Sequence, residues 1–153
     1  MRRVVVTGLG TINSTGHNVK DSFQAVVDGV CGIDTITLFD ASDFSVQIAG
    51  EVKDFNPETV MDKKEVKKAD RFIQLGIKAA LEAMIDSGYV TQEDKKVDAS
   101  IADRFGIISG SGIGGLSTIE RNSVVCENRG SRKISPFFIP SSLANMLSGF
   151  ISI

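Results

Sequence analysis

The sequence predicts an α/β fold on three observations. Residues 3–6 form a β-branched run that enters the tight connection Thr7-Gly8-Leu9-Gly10. Residues 63–87 carry apolar positions at helical spacing, and residues 105–108 make a second short apolar run that passes into a Gly-rich turn at 110–115. Strand, helix, long helix and strand in that order are the α/β pattern.

Composition limits what any motif can mean. A chain of 153 residues with 42% hydrophobic and 24% charged content has the size and make-up of one globular domain. No run approaches the roughly 20 apolar residues of a membrane span, and the apolar stretch after Met1 is too short for a secretory signal, so the cytosol is the expected location. Cys31 and Cys126 are too few for a disulfide framework, and with His17 as the single histidine they form no metal-ligand pattern, so no metal or other cofactor is expected. The net charge of −2 argues against a nucleic-acid footprint spread over the chain.

Taken in order, residues 3–6 read as a buried strand. Asn18 caps a helix over 19–27, in which Phe23, Val26, Val27 and Val30 recur at spacings of three and four, with Gly29 just past its end. Residues 31–57 are less regular, with a short strand around 46–49 and an extended path to Asn56-Pro57. A long helix is predicted over 63–87, with Asp62 as N-cap, Glu65 three residues later and Gly88 as the stop. Val66, Ala69, Ile73, Gly76, Ile77, Ala80 and Met84 form its buried side. A polar loop at 91–103 delivers the chain to the buried strand 105–108. After the Gly turn come a polar helix over 116–127, a basic loop, and the doublet Phe137-Phe138 between Pro136 and Pro140. No internal repeat is present.

Two features carry functional readings. Lys64, Lys67, Lys68 and Arg71 fall at i, i+3, i+4 and i+7, with Glu65 and Asp70 expected on other faces. Such a ridge is either a solvated helix face or a docking surface for an acidic partner. Spacing does not decide whether the later pair Arg132-Lys133 joins it. The turn Gly110-x-Gly112-x-x-Gly115 formally matches a dinucleotide fingerprint, but the acid expected about 20 residues later has no clear counterpart. Its alternatives are close strand-to-helix packing, or room for an apolar ligand tail with Ile113 as the one bulky side chain. Cys31 has no base beside it and Cys126 is followed by an acid, so both read as structural.

Four ordered motifs then resemble one family: VVVTGLG at 4–10, VKDFNPE at 52–58, SGSGIGGL at 109–116 and RKISPFFIPSSLANM at 132–146. Together they are similar to the N-terminal part of a β-ketoacyl-[acyl-carrier-protein] synthase, nearest to the type II condensing enzymes of dissociated fatty acid synthesis. The resemblance implies a thiolase-like fold of α, β, α, β and α layers, a homodimer, and elongation by decarboxylative condensation of acyl-enzyme with malonyl-carrier protein. It further implies that Ile113 gates the acyl pocket and that Phe138 reaches into the partner subunit's pocket. Lys64, Lys67, Lys68, Arg132 and Lys133 match basic positions that receive the acidic acyl carrier protein.

The resemblance places the family's nucleophilic cysteine a few residues beyond Ile153, and its two histidines and lysine further on. Residues 1–153 are therefore expected to be the N-terminal part of the synthase domain, without catalytic residues and inactive alone, because the reaction needs a thiolate and paired donors. A separate C-terminal half would be required, and the isolated chain is expected to be poorly soluble or oligomeric. The alternatives are a non-catalytic carrier-protein-binding module and a Rossmann-type nucleotide binder.

Overall fold

In a computed structural model describing residues 2–153, the predicted helices form and most of the predicted strand pairing does not. Helix α1 spans Val19–Val27, as expected, and the Asn18 side chain accepts from the Asp21 amide. Gly29 follows at φ +68°, a left-handed position that ends the helix. Strands β1 (Asp34–Thr35) and β2 (Ile48–Ala49) pair antiparallel, with Asp34 opposite Ala49 and Thr35 opposite Ile48. Beyond them lie α2 (Lys63–Val66), α3 (Arg71–Asp86), α4 (Ala99–Ala102), α5 (Leu116–Arg129), α6 (Phe138–Ser142) and α7 (Met146–Ser152).

Two expected buried strands are absent. Residues 3–6 and 105–108 belong to no sheet, Val4 is 98% exposed and Ile108 is 101% exposed. Neither run has an extended neighbour among the described residues, and a strand without a partner has no ladder. What holds the first run in place is its Gly connection. Cβ atoms at Gly8 and Gly10 would strike the carbonyl oxygens of Ala83 and Ala79, so only glycines let this segment lie on α3. The Leu9 amide donates to Asp86 at 2.9 Å, and Glu82 accepts from the Thr11 and Val19 amides at 3.3 and 2.7 Å. Glu82 thus ties the segment to the first turn of α1.

The predicted helix over 63–87 is interrupted. It divides into α2 and α3 at 67–70, and Asp70, rather than Asp62 alone, stands at a helix start. Side chains take up the carbonyls freed at the break: Gln74 donates to Val66 and Ala69 oxygens at 3.3 and 2.9 Å, and Ser141 donates to the Lys68 oxygen at 2.6 Å. Helical spacing runs straight through this break, so apolar periodicity does not reveal it.

The core sits where α7 crosses α3. Ile73 is fully buried, with Ala69 and Leu147 around it and Phe72, Ile77 and Phe150 packed against them. A Cβ at Gly76 would lie 2.6 Å from a Leu147 methyl, so glycine there sets how closely the two helices approach. Elsewhere large apolar side chains face outward, among them Phe23, Val26, Val27 and Val30 along α1.

Candidate functional site

The Gly turn and the α2–α3 break are parts of one junction. Gly114 has φ +78°, and a Cβ on it would strike the Ser142 oxygen. The Gly115 amide donates to that same oxygen at 2.9 Å, which seats α6 on the turn. Asp70, 8% exposed, accepts at 2.9 Å from the Thr118 amide in the first turn of α5. One carboxylate therefore stands at the N-termini of both α3 and α5, where the helix dipoles favour negative charge.

This arrangement decides the fate of the nucleotide reading. A pyrophosphate at the start of α5 would meet the Asp70 carboxylate, which already takes a first-turn amide. Cβ atoms at Gly110 and Gly112 would have nothing within 4 Å, so only the last two glycines of the turn serve a close approach, and what approaches is α6. Ile113 lies 66% exposed at the tip of the turn. Phe138 opens α6 and is half-buried.

A cleft of about 970 Å³ lies beside the junction, between the α2–α3 break and α5. Lys67 lines it from the break, Lys133 from the short 3-10 turn Ser131–Lys133, and Arg121 from α5. Lys67 of the earlier ridge and Lys133 of the later basic pair thus line one cleft. Lys64 and Arg132 are exposed but do not line it.

Two members of the ridge turn inward. Lys68 pairs with Glu65 at 2.6 Å and lies 5.7 Å from the Phe137 ring centroid. The expectation that Glu65 stays off the ridge fails because the short helix α2 places it beside Lys68. Arg71 donates to the Val52 and Phe55 carbonyls at 3.1 and 3.3 Å and covers the Phe55 ring at 5.0 Å, and burial lowers its pKa. Arg71 so fastens the VKDFNPE loop, in which Asp54 takes a left-handed φ of 58°.

Glu51 also lines the cleft. Its carboxylate accepts from the Thr37 amide and hydroxyl and from the Leu38 amide, at 2.9, 2.7 and 3.1 Å. Those bonds, the Thr37 hydroxyl foremost, hold its pKa below the usual glutamate value against the opposing effect of desolvation. A depressed folded-state pKa contributes stability above the unfolded value and loses it as pH falls through the folded value. The stability difference between the wild type and Glu51→Gln is expected to be present at pH 6 and to close as pH falls below about 4. Urea titrations across that range check it, and a pH-independent difference contradicts it.

Among the described residues, no group of three or more His, Cys, Asp or Glu could hold a metal, and no helix is long and apolar enough to cross a membrane. Sequence reasoning missed Arg121 and Asp70. Arg121 belongs to no basic run, and its place in a cleft with Lys67 depends on the packing of α5. Asp70 has a local signal, an acid opening an apolar periodic run, which the stronger-looking Asp62 start concealed.

The backbone is that of the ketosynthases, with their thiolase-like fold. It resembles the ishigamide ketosynthase/chain length factor with a TM-score of 0.79 and 27% identity, over 99% of this chain and 36% of that one. A structure of a type II PKS acyl-carrier protein in complex with its ketosynthase, bound to the hexaketide, resembles it in fold with a TM-score of 0.75 at 24% identity, over 99% and 38% of the two chains. Residues 1–153 match the family described as "Beta-ketoacyl synthase, N-terminal domain", and the chain belongs to that family. Among its relatives, 3-oxoacyl-[acyl-carrier-protein] synthase 2 of Coxiella burnetii is 46% identical over 152 residues, and the proteins of the same name from Vibrio cholerae and Staphylococcus aureus are 45% and 43% identical. Each match covers 99% of this chain, which spans 35% of the length of these relatives.

Proposed function

We propose that residues 1–153 are the N-terminal part of a β-ketoacyl-[acyl-carrier-protein] synthase that elongates acyl chains by decarboxylative condensation in fatty acid synthesis. The relatives, 3-oxoacyl-[acyl-carrier-protein] synthases 2, support the reaction. One observation supports the role of this part: Lys67 and Lys133, far apart in sequence, line one cleft beside the turn that carries Ile113. An acidic acyl carrier protein docks there, and its acyl chain passes toward Ile113 and Phe138. Lys67 and Lys133 receive its carboxylates directly, with Lys64 and Arg132 at the rim. Lys68 contributes mainly by holding Phe137. The whole protein works as a homodimer in the cytoplasm, and the nucleophile and its donors come from outside residues 1–153.

The double variant Lys67→Glu/Lys133→Glu is expected to weaken carrier-protein binding by about thirtyfold or more and to flatten its salt dependence, because reversed charges repel an acidic partner. Surface plasmon resonance on the immobilised chain at several salt concentrations reads both, and unchanged affinity rules out this docking face. The chain alone is expected to form no 3-oxoacyl product. Mixing it with a separately made C-terminal portion of the Coxiella burnetii relative is expected to restore product formation, and turnover by the chain alone would refute the assignment of catalysis elsewhere.

A further inference from the structure

We infer that Arg121 is a specificity-determining contact for the acidic partner, forming with Lys67 and Lys133 a three-cation groove that recognises the carboxylates of a docked helix. The inference rests on the carrier-protein reading above and extends it to a residue outside the basic motifs.

The groove is strongly polarised. Among the described residues, Lys67, Arg121 and Lys133 make no ion pair and no side-chain hydrogen bond, and all three are exposed. The two acids on the same cleft are already engaged by backbone amides. Glu51 holds Thr37 and Leu38, and Asp70 holds Thr118. Three unpaired cations therefore line the cleft, with Arg71 beside them, against two carboxylates that keep their charge, so the cleft carries an excess of positive charge on a chain whose net charge is −2.

The position of Arg121 differs in kind from the other two. Lys67 comes from the break between α2 and α3 and Lys133 from a short turn packed against α5, whereas Arg121 projects from the middle of that 14-residue helix. Arg121 on α5 and Lys67 at the α2–α3 break line the same cleft from different elements, so one elongated acidic element lying in the groove can meet both. The guanidinium adds a planar fork suited to bidentate carboxylate contact, which an ammonium group does not offer. Val125 and the Phe137 ring supply apolar floor for the partner's non-acidic side chains. An acidic helix fits this combination of charged walls and apolar floor better than a small free anion, which would use the charges and leave the floor uncovered.

The test measures the affinity of a holo acyl carrier protein for the immobilised 153-residue chain and single variants, each checked for unchanged far-UV circular dichroism. Arg121→Glu is expected to weaken binding about tenfold, Arg121→Lys about threefold because an ammonium lacks the fork, and Arg129→Glu, on the same helix but outside the cleft, to leave affinity unchanged. Arg121→Glu binding like the wild type while Lys67→Glu and Lys133→Glu weaken it would overturn the role of Arg121 and leave the docking face standing. Loss of effect in all three would overturn the docking face itself. If inorganic phosphate alone binds, and Arg121→Glu abolishes that while sparing the carrier protein, the groove is a free-anion site and the inference fails.

Discussion

Ile73→Ala is expected to destabilise the chain by about 3 kcal/mol, the largest effect of any single side-chain truncation in it. Among the described residues, Ile73 is the one large side chain wholly removed from solvent, and it packs with Ala69 and Leu147 where α3 meets α7. Removing its three outer carbons forfeits their transfer free energy and leaves a cavity that Ala69 and Leu147 are too constrained to close. The midpoint of urea unfolding followed by far-UV circular dichroism measures the loss. Phe23→Ala is the matched control, because that ring is 68% exposed and its removal should change the midpoint little. A shift at Ile73 no larger than at Phe23 would mean that the α3–α7 contact is not the core.

Gly114→Ala is expected to cost about 2–3 kcal/mol through two separable causes. An L-residue at φ +78° loses roughly 1–2 kcal/mol to steric strain. The new methyl also presses on the Ser142 oxygen, so the bond from the Gly115 amide to that oxygen is lost or stretched, at about 1 kcal/mol. Gly112→Ala, whose added carbon would meet nothing within 4 Å, should be close to neutral. Hydrogen exchange at the Gly115 amide distinguishes the causes: faster exchange reports release of α6 from the turn, and unchanged exchange with lower stability reports backbone strain alone. Equal stability of the two alanine variants would sink the account of how the turn is held.

The helices were legible because their signals are local. Asn18 and Gly29 bracket α1 in the sequence as they do in space, and the apolar spacing from Ala69 to Ile77 names the buried side of α3. The break at 67–70 was not legible, because it is maintained by Gln74 and Ser141, the latter 73 residues downstream of the Lys68 carbonyl it meets. The basic ridge was half legible. Helical spacing places four cations near one another, yet the inward turn of Arg71 depends on carbonyls presented by the loop around Asp54, and the pairing of Lys68 depends on the same break. The two valine- and isoleucine-rich runs show the opposite case: their composition favours strand, and strand is a property of pairs rather than of single segments.

The seating of Gly8 and Gly10 on α3 fixes how the valine run before them meets any strand laid alongside. Its carboxyl-terminal end is immobilised by the Leu9 amide on Asp86 and by the absence of β-carbons against Ala79 and Ala83. An incoming strand therefore finds a template with one end already ordered, so part of the entropic cost of pairing was met when α3 formed. Because a slip of one residue would exchange the two faces of the run, the glycine anchor determines which valines face which layer before the first ladder bond exists. A pair of glycines lacking any side chain to recognise a partner would thus set the register of such a pairing.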